Sequence, residues 1–152
     1  MELPKRKQLR LNNYDYSQCG RYFVTICTHN RERVFGCISA GEPFNAPLMR
    51  LSPCGEIAHK CISAMPGIEK YVIMPNHIHM IISISDSSPD SYRIRLSSLI
   101  RSFKTLVTKA CGRSIWQRSY YDRIIRDDNE FLEIWKYIDG NPSKWLEDEY
   151  YN

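Results

Sequence analysis

The run YVIMPNHIHMIISI at residues 71–84 constrains the fold of this 152-residue chain more than any other feature. Its two apolar stretches flank a Pro-Asn pair typical of a tight turn, so the run predicts a β-hairpin. Side chains of a strand alternate between its faces, so His77 and His79 share one face with Ile81 and Ser83. The opposite face is purely apolar and comprises Ile78, Met80, Ile82 and Ile84. The sequence therefore predicts a sheet that is covered on one side and carries two imidazoles on the other.

Three further strands are predicted from runs of β-branched and aromatic residues, at 21–28, 68–73 and 118–125. Residues 36–50 contain several glycines and prolines and predict a loop or an irregular hairpin.

Three helices are predicted between and after these strands. Ser52 before Pro53 is a typical helix start, and Pro66-Gly67 ends that helix near Met65. The second helix begins near Leu96 and ends at Gly112, and its apolar residues fall within an arc of about 120°. A capping-box-like pair, Asp127 and Glu130, begins the last helix, and Pro142 ends it.

The resulting order is β-α-β-β-α-β-α. Its first six elements match the ferredoxin-like α+β pattern, a four-stranded antiparallel sheet with two helices on one face. The pattern predicts a central histidine strand whose imidazoles point to the open face, which the additional C-terminal helix is free to cover. We expect a single domain over residues 1–152, with a basic arm at 1–20.

Composition excludes several classes of protein. The chain is 43% hydrophobic and contains neither a long apolar stretch nor a signal-peptide pattern, so a cytoplasmic protein without a membrane span is expected. Its six cysteines form no C-x-x-C pair, and their spacing fits no zinc module. We therefore expect reduced, mostly buried thiols.

Basic residues concentrate in one part of the chain. Residues 93–126 hold nine basic residues and one acid, with four aromatic residues interleaved. This mixture is typical of nucleic-acid binding, because phosphates attract cations and unpaired bases stack on rings, although a solvated basic face fits it as well. The candidate DNA contacts are Arg93, Arg101, Lys104, Arg118 and Arg123.

Two polar residues of the last helix are candidates for a site. Tyr137 and Asn141 lie one turn apart, on the flank of an apolar stripe, so both can reach a site beside the packing face. Tyr137 fits equally well as the edge residue of an amphipathic helix, and two histidines spaced as H-x-H also occur in hairpins without a shared role.

Three blocks of the sequence resemble the single-tyrosine HUH transposases, named for a histidine–hydrophobic–histidine motif. They are YVIMPNHIHMII at 71–82, SFKT at 102–105, and WQRSYYDRIIRD at 116–127 leading to YIDGNPSKW at 137–145. Within that family the chain is most similar to the REP-associated tyrosine transposases, and NYDY at 13–16 and YFVTICT at 22–28 also fit. The similarity covers nearly the whole chain.

This resemblance implies a metal-dependent enzyme that nicks and rejoins single-stranded DNA beside hairpins. Tyr137 would attack the scissile phosphate and leave a 5′-phosphotyrosine and a free 3′-OH. The metal ligands would be His77, His79 and Asn141, the last replacing a glutamine of insertion-sequence relatives. Two imidazoles and an amide suit Mn²⁺ or Mg²⁺ in a six-coordinate site.

Two other functions remain open. A domesticated relative would bind hairpins without cutting, although intact His77, His79 and Tyr137 argue against it. A metallohydrolase would use a metal-bound water and would not need Tyr137. The oligomeric state, monomer or homodimer, also stays open.

Overall fold

The computed structural model describes residues 19–41, 46–85 and 95–151, so most of the predicted N-terminal arm lies outside the described residues. The strands are β1 (Gly20–Cys27), β2 (Gly36–Gly41), β3 (Ala46–Leu51), β4 (Ile68–Met74), β5 (His77–Ile84) and β6 (Tyr121–Ile125). The helices are α1 (Pro53–Ser63), α2 (Leu96–Cys111) and α3 (Asp128–Gly140), and short 3-10 segments span His29–Arg31 and Pro142–Glu147. None of the helices in these ranges is long and apolar enough to cross a membrane.

The main sheet has the order β4-β5-β1-β6, and all its neighbouring strands are antiparallel. The histidine strand β5 is central, as predicted, and lies opposite β1 with Cys27 facing His77 and Thr25 facing His79. Strands β2 and β3 form a separate hairpin over most of the segment predicted as a loop or irregular hairpin. This mixed α+β architecture confirms the predicted fold class.

One face of the sheet is covered by α1 and α2. The alternate residues of β5 pack there with Ile62 of α1, with Phe103 and Val107 of α2, and with apolar residues of β1. The β5 and β1 residues of this core are Ile78, Met80, Ile82, Ile84, Tyr22, Val24 and Ile26. Because each of these side chains points to the same face, the imidazoles must point to the other.

Local signals set most element boundaries. The Ser52 side chain accepts a hydrogen bond from the Gly55 N–H, and Asp127 accepts one from Glu130, as helix caps do. Gly112 ends α2 in the left-handed conformation, with a φ of 76°. The strand predicted from residue 118 begins only at Tyr121, because Ser119 adopts a left-handed φ of 71° that an extended strand does not allow.

The opposite face of the sheet is covered by α3. Ile81 of β5 and Ile125 of β6 are buried against Ile134 and Ile138, with Phe131 and Trp135 packed at the edge of this smaller cluster. The apolar stripe predicted for the last helix is thus its packing face. It covers the Ile81 end of the histidine face and leaves the His77 end to the segment that follows α3.

The cysteines differ from expectation in their burial. All six are free, but only Cys27 is buried, whereas Cys37 is exposed on the β2–β3 hairpin. The other four are partly exposed: Cys19, Cys54, Cys61 and Cys111. The prediction of mostly buried thiols is therefore wrong, since most of these residues lie at the margins of the core rather than within it.

Candidate metal and nucleophile site

Both imidazoles are fixed by a hydrogen bond at Nδ1. The Thr25 hydroxyl, on the neighbouring strand, lies 2.8 Å from Nδ1 of His79, and Oδ1 of Asn76 lies 2.8 Å from Nδ1 of His77. The two rings are 4.7 Å apart between centroids. Their Nε2 atoms are buried and have no hydrogen-bond partner among the described residues. Such a pair of rings, held at Nδ1 and free at Nε2, is the usual arrangement of metal-binding histidines.

The segment after α3 closes the site. Asp148 places Oδ2 3.5 Å from Nε2 of His77, and the ligand atoms of His77, His79 and Asp148 all lie within 4.8 Å of one another. The ring of Tyr150 lies 4.4 Å from that of His77, and the ring of Trp145 stacks on it at 6.1 Å. The two histidines are consequently 0% and 2% exposed.

Burial and charge set the protonation of this group. Burial lowers the pKa of His79 well below its usual value, and His77 lowers it further, while Asp148 opposes both. Burial raises the pKa of Asp148, but the adjacent imidazole of His77 and a hydrogen bond from the Tyr150 N–H outweigh it, so that this pKa is lowered. A neutral imidazole beside a carboxylate is the form in which both side chains bind a cation.

Tyr137 reaches the site from α3. Its ring lies 5.3 Å from that of His79 and 6.2 Å from that of Phe23, and it is 44% exposed. Burial raises the pKa of Tyr137, as does the charge of Asp148, and the nearby Asn141 amide opposes them. The hydroxyl is therefore protonated at neutral pH.

Asn141 caps the C-terminal end of α3, and its side chain is buried with Nδ2 lacking a hydrogen-bond partner within the described part of the chain. A 180° rotation of a side-chain amide exchanges its nitrogen and its oxygen. The Asn141 amide is therefore equally able to turn its oxygen, instead of Nδ2, to this buried position. The structure thus places Tyr137 beside His79, and Asn141 beside Tyr137, while the catalytic and metal-binding roles of these residues stay predictions.

Four buried polar atoms of this site fit a bound divalent cation. They lack hydrogen-bond partners in the described ranges and are His77 Nε2, His79 Nε2, Asn141 Nδ2 and Asp148 Oδ2. Leaving such an atom unpaired costs about 1–3 kcal/mol, so an arrangement of several is favoured only when something binds them. Two imidazoles and a carboxylate form a donor set that a divalent metal accepts.

Asp148 is the residue that sequence reasoning missed. It stands between Glu147 and Glu149, and such an acidic run is typical of a solvated surface. Its side chain is nonetheless 2% exposed, because the segment after Trp145 folds back over the histidine face. The only available sequence signal was its position shortly after the last resembling block, which does not distinguish it from its two acidic neighbours.

The predicted DNA contacts that lie within the described residues are not clustered around the imidazoles. Arg93 lies outside the described residues, while Arg101 and Lys104 belong to α2, on the side of the sheet away from the imidazoles. The Lys104 ammonium donates to the carbonyl oxygens of Gln117 and Ser119, at 3.1 and 2.6 Å. Two others are exposed: Arg118, before β6, and Arg123, which pairs with Glu130. Contact of these residues with DNA stays a prediction.

Known proteins resemble this chain over half to nearly all of its length. An uncharacterized protein of Haemophilus influenzae is 33% identical over 173 aligned positions, covering 96% of this chain and 93% of its own length. A putative REP-associated tyrosine transposase of the same species is 26% identical, with coverage of 88% and 77%. A REP-associated tyrosine transposase of Escherichia coli K12 is 32% identical, over 51% of this chain and 44% of its own.

One solved structure shares the fold. It is a REP-associated tyrosine transposase bound to a REP hairpin, with a TM-score of 0.58 and 23% identity, covering 95% of this chain and 74% of that one. No protein-family model matches the sequence.

Proposed function

We propose that this chain is a REP-associated tyrosine transposase, like the relatives of that name, and that it nicks and rejoins single-stranded DNA beside hairpins through a covalent link to Tyr137. One observation carries the proposal: α3 brings the Tyr137 ring to 5.3 Å from His79, beside imidazole nitrogens that lack a partner in the described residues. The structural relative that is bound to a REP hairpin supports a hairpin as the DNA partner.

The cation of this site is proposed to be Mg²⁺ or Mn²⁺, held by His77, His79 and Asp148. Asn141, the third ligand that the family resemblance implies, is proposed to complete the donor set with its amide oxygen. Imidazole, carboxylate and amide ligands suit both ions. When bound, such an ion would polarise the scissile phosphate and stabilise the departing oxygen.

Tyr137 supplies the nucleophile. Its Oη forms a bond to phosphorus while the bond to the 3′ oxygen breaks; the phenolic proton is released, and the leaving oxygen takes up a proton to become a 3′-OH. Because burial and Asp148 raise the pKa of Tyr137, the phenol needs activation before it attacks. Reversal by the free 3′-OH rejoins the strand.

A second function, hairpin binding without cleavage, is favoured by the closure of the site. Asp148 lies against His77, and Tyr150 covers both rings, at 4.4 Å from His77 and 6.1 Å from His79. In this arrangement a phosphate has no direct access to the imidazoles. Cleavage requires these two side chains to move aside, whereas hairpin binding elsewhere on the surface does not.

The deciding experiment is a search for the covalent adduct. Labelled DNA hairpins with single-stranded flanks from the chain's own genomic neighbourhood are incubated with the protein and Mn²⁺, then separated under denaturing conditions. Wild type should yield a cleaved strand and a protein–DNA adduct. Tyr137→Phe should lose both while folding normally, because only the hydroxyl is removed. Tyr121→Phe, on β6, is the matched control and should retain both.

Each alternative gives a different result. Wild type that binds the hairpins yet forms neither cleaved strand nor adduct would support the non-cleaving function. Cleavage that persists in Tyr137→Phe would mean that a water or another tyrosine attacks. Absence of hairpin binding by wild type would contradict both functions.

A further inference from the structure

The loop between β1 and β2 holds two consecutive residues in a conformation that side chains disfavour. Asn30 has a φ of 53° and Arg31 a φ of 56°. Asparagine tolerates the left-handed region because its short side chain bonds locally, but arginine has no such compensation. Strain of this kind persists only where the surroundings impose it, and it concentrates at functional sites.

The surroundings here are the candidate metal site. The Thr28 hydroxyl lies 2.7 Å from the carbonyl oxygen of Glu32 and 3.0 Å from that of Asn76, and the His29 N–H donates to Ile115. The side-chain amide of Asn76 also donates to the carbonyl oxygen of Arg31, at 3.4 Å. The same Asn76 holds the His77 imidazole through Oδ1. The loop is therefore anchored to the residue that orients a proposed ligand.

The exposed side chains of this loop are mostly basic. Arg31 and Arg33 are exposed, and so is His29, whereas the one acid, Glu32, is paired with Arg113 at 3.3 Å. The loop thus presents an excess of positive charge to solvent at the His77 end of the sheet.

The guanidinium groups of Arg31 and Arg33 both contact the C-terminal segment, residues 145–151, that closes the site. Arg33 lies over the rings of Trp145 and Tyr151, 5.5 and 5.3 Å from their centroids. Arg31 donates to the carbonyl oxygen of Glu149, at 3.4 Å. These contacts place both arginines against the C-terminal segment that contains Asp148.

We infer that Arg31 and Arg33 form a phosphate-binding surface that guides single-stranded DNA to the histidine site. The inference rests on the proposed function and adds its DNA contacts. Guanidinium groups bind phosphate with two parallel hydrogen bonds, and the exposed Tyr151 ring beside Arg33 offers a stacking surface for a base. The cations of α2 are less suited, because that helix packs on the face of the sheet opposite the imidazoles.

The test compares two double variants for binding to a single-stranded oligothymidylate and to a hairpin with single-stranded flanks. Arg31→Ala/Arg33→Ala should weaken binding roughly tenfold at low salt. The slope of log affinity against log salt should fall by about 0.7 for each phosphate that the variant no longer neutralises. Lys60→Ala/Lys109→Ala removes the same charge from exposed positions on α1 and α2, and should change the affinity much less.

A single variant separates binding from folding. Arg31→Gly removes the cation and also relieves the left-handed strain, so the melting temperature should be unchanged or higher while DNA binding weakens. The inference is overturned if wild type binds these DNAs and the arginine double variant keeps the same affinity and salt slope, or loses no more than the lysine control. If wild type binds neither DNA, the proposed function fails and the inference falls with it.

Discussion

The two faces of β5 lie in different environments, one in the apolar core and one at the candidate metal site. On one face, alternate side chains enter a dry apolar core shared with α1 and α2. On the other, only Ile81 is in an apolar cluster, while His77 and His79 are buried between aromatic rings and a few polar side chains. A side-chain period of two lets one strand supply both environments without interference, because neighbouring residues never share a face.

The two faces also differ in where free energy is gained and lost. Apolar burial on the helix face stabilises the fold at about 25 cal/mol per Å². The histidine face instead contains buried atoms without a partner in the described ranges, on His77, His79, Asn141 and Asp148, and each opposes folding until it is bound. Stability and function are thus separable by mutation, and variants on either face test this separation, from the largest expected effect to the smallest.

The first prediction concerns the apolar face. Ile82→Ala removes buried methylene groups from the core against the helices and should lower the free energy of unfolding by about 2–5 kcal/mol. Chemical denaturation measures this loss. Metal affinity of the folded fraction should be unchanged, and a large loss of metal affinity would show that the two faces are coupled.

The second prediction concerns metal addition. Mn²⁺ at about 100 times its dissociation constant should stabilise wild type by about 2.7 kcal/mol, because the folded state alone presents the assembled ligands. His77→Ala should abolish this gain. Thermal unfolding with and without the ion measures both, and an equal gain in His77→Ala would remove this histidine from the ligand set.

The third prediction compares two acids of the C-terminal segment. Asp148→Asn keeps the shape but removes the charge, and should weaken Mn²⁺ binding about 10–100-fold, a loss typical of perturbed metal sites. Glu149→Gln, at the exposed neighbouring position, should leave it unchanged. Calorimetric titration distinguishes the two variants. Equal affinities would mean that Asn141, rather than Asp148, completes the site.

The smallest effect is expected at β1. Thr25→Val removes the hydroxyl beside Nδ1 of His79 and should cost about 1 kcal/mol of stability together with about tenfold in metal affinity. Ile26→Val, the next residue on the opposite face, should cost about the same stability. Only Thr25→Val should change the metal titration. An equal loss of metal affinity in Ile26→Val would mean that the loss comes from altered core packing and not from a misoriented His79 imidazole.

Local patterns were enough to predict much of the fold. The alternation in β5, the caps at Ser52 and Asp127 and the glycine after α2 each act within a few residues, so their structural consequences are independent of the rest of the chain. The same holds for the pairing of His77 with His79 on one face. The family resemblance then directed attention to Tyr137 and Asn141, which the structure places beside each other near these imidazoles.

Other parts of the site depend on contacts between distant residues. Nothing local distinguishes Asp148 from its acidic neighbours, or Arg31 and Arg33 from other exposed arginines. Their places follow from how the C-terminal segment folds over the sheet and from how Asn76 anchors the β1–β2 loop. The alternation of side chains is a property of the backbone of each strand, and the sequence alone determines it. Tertiary packing decides which polar groups lie in front of the imidazoles. These groups come from parts of the chain that are far apart in sequence, so local backbone geometry does not fix the distances between them.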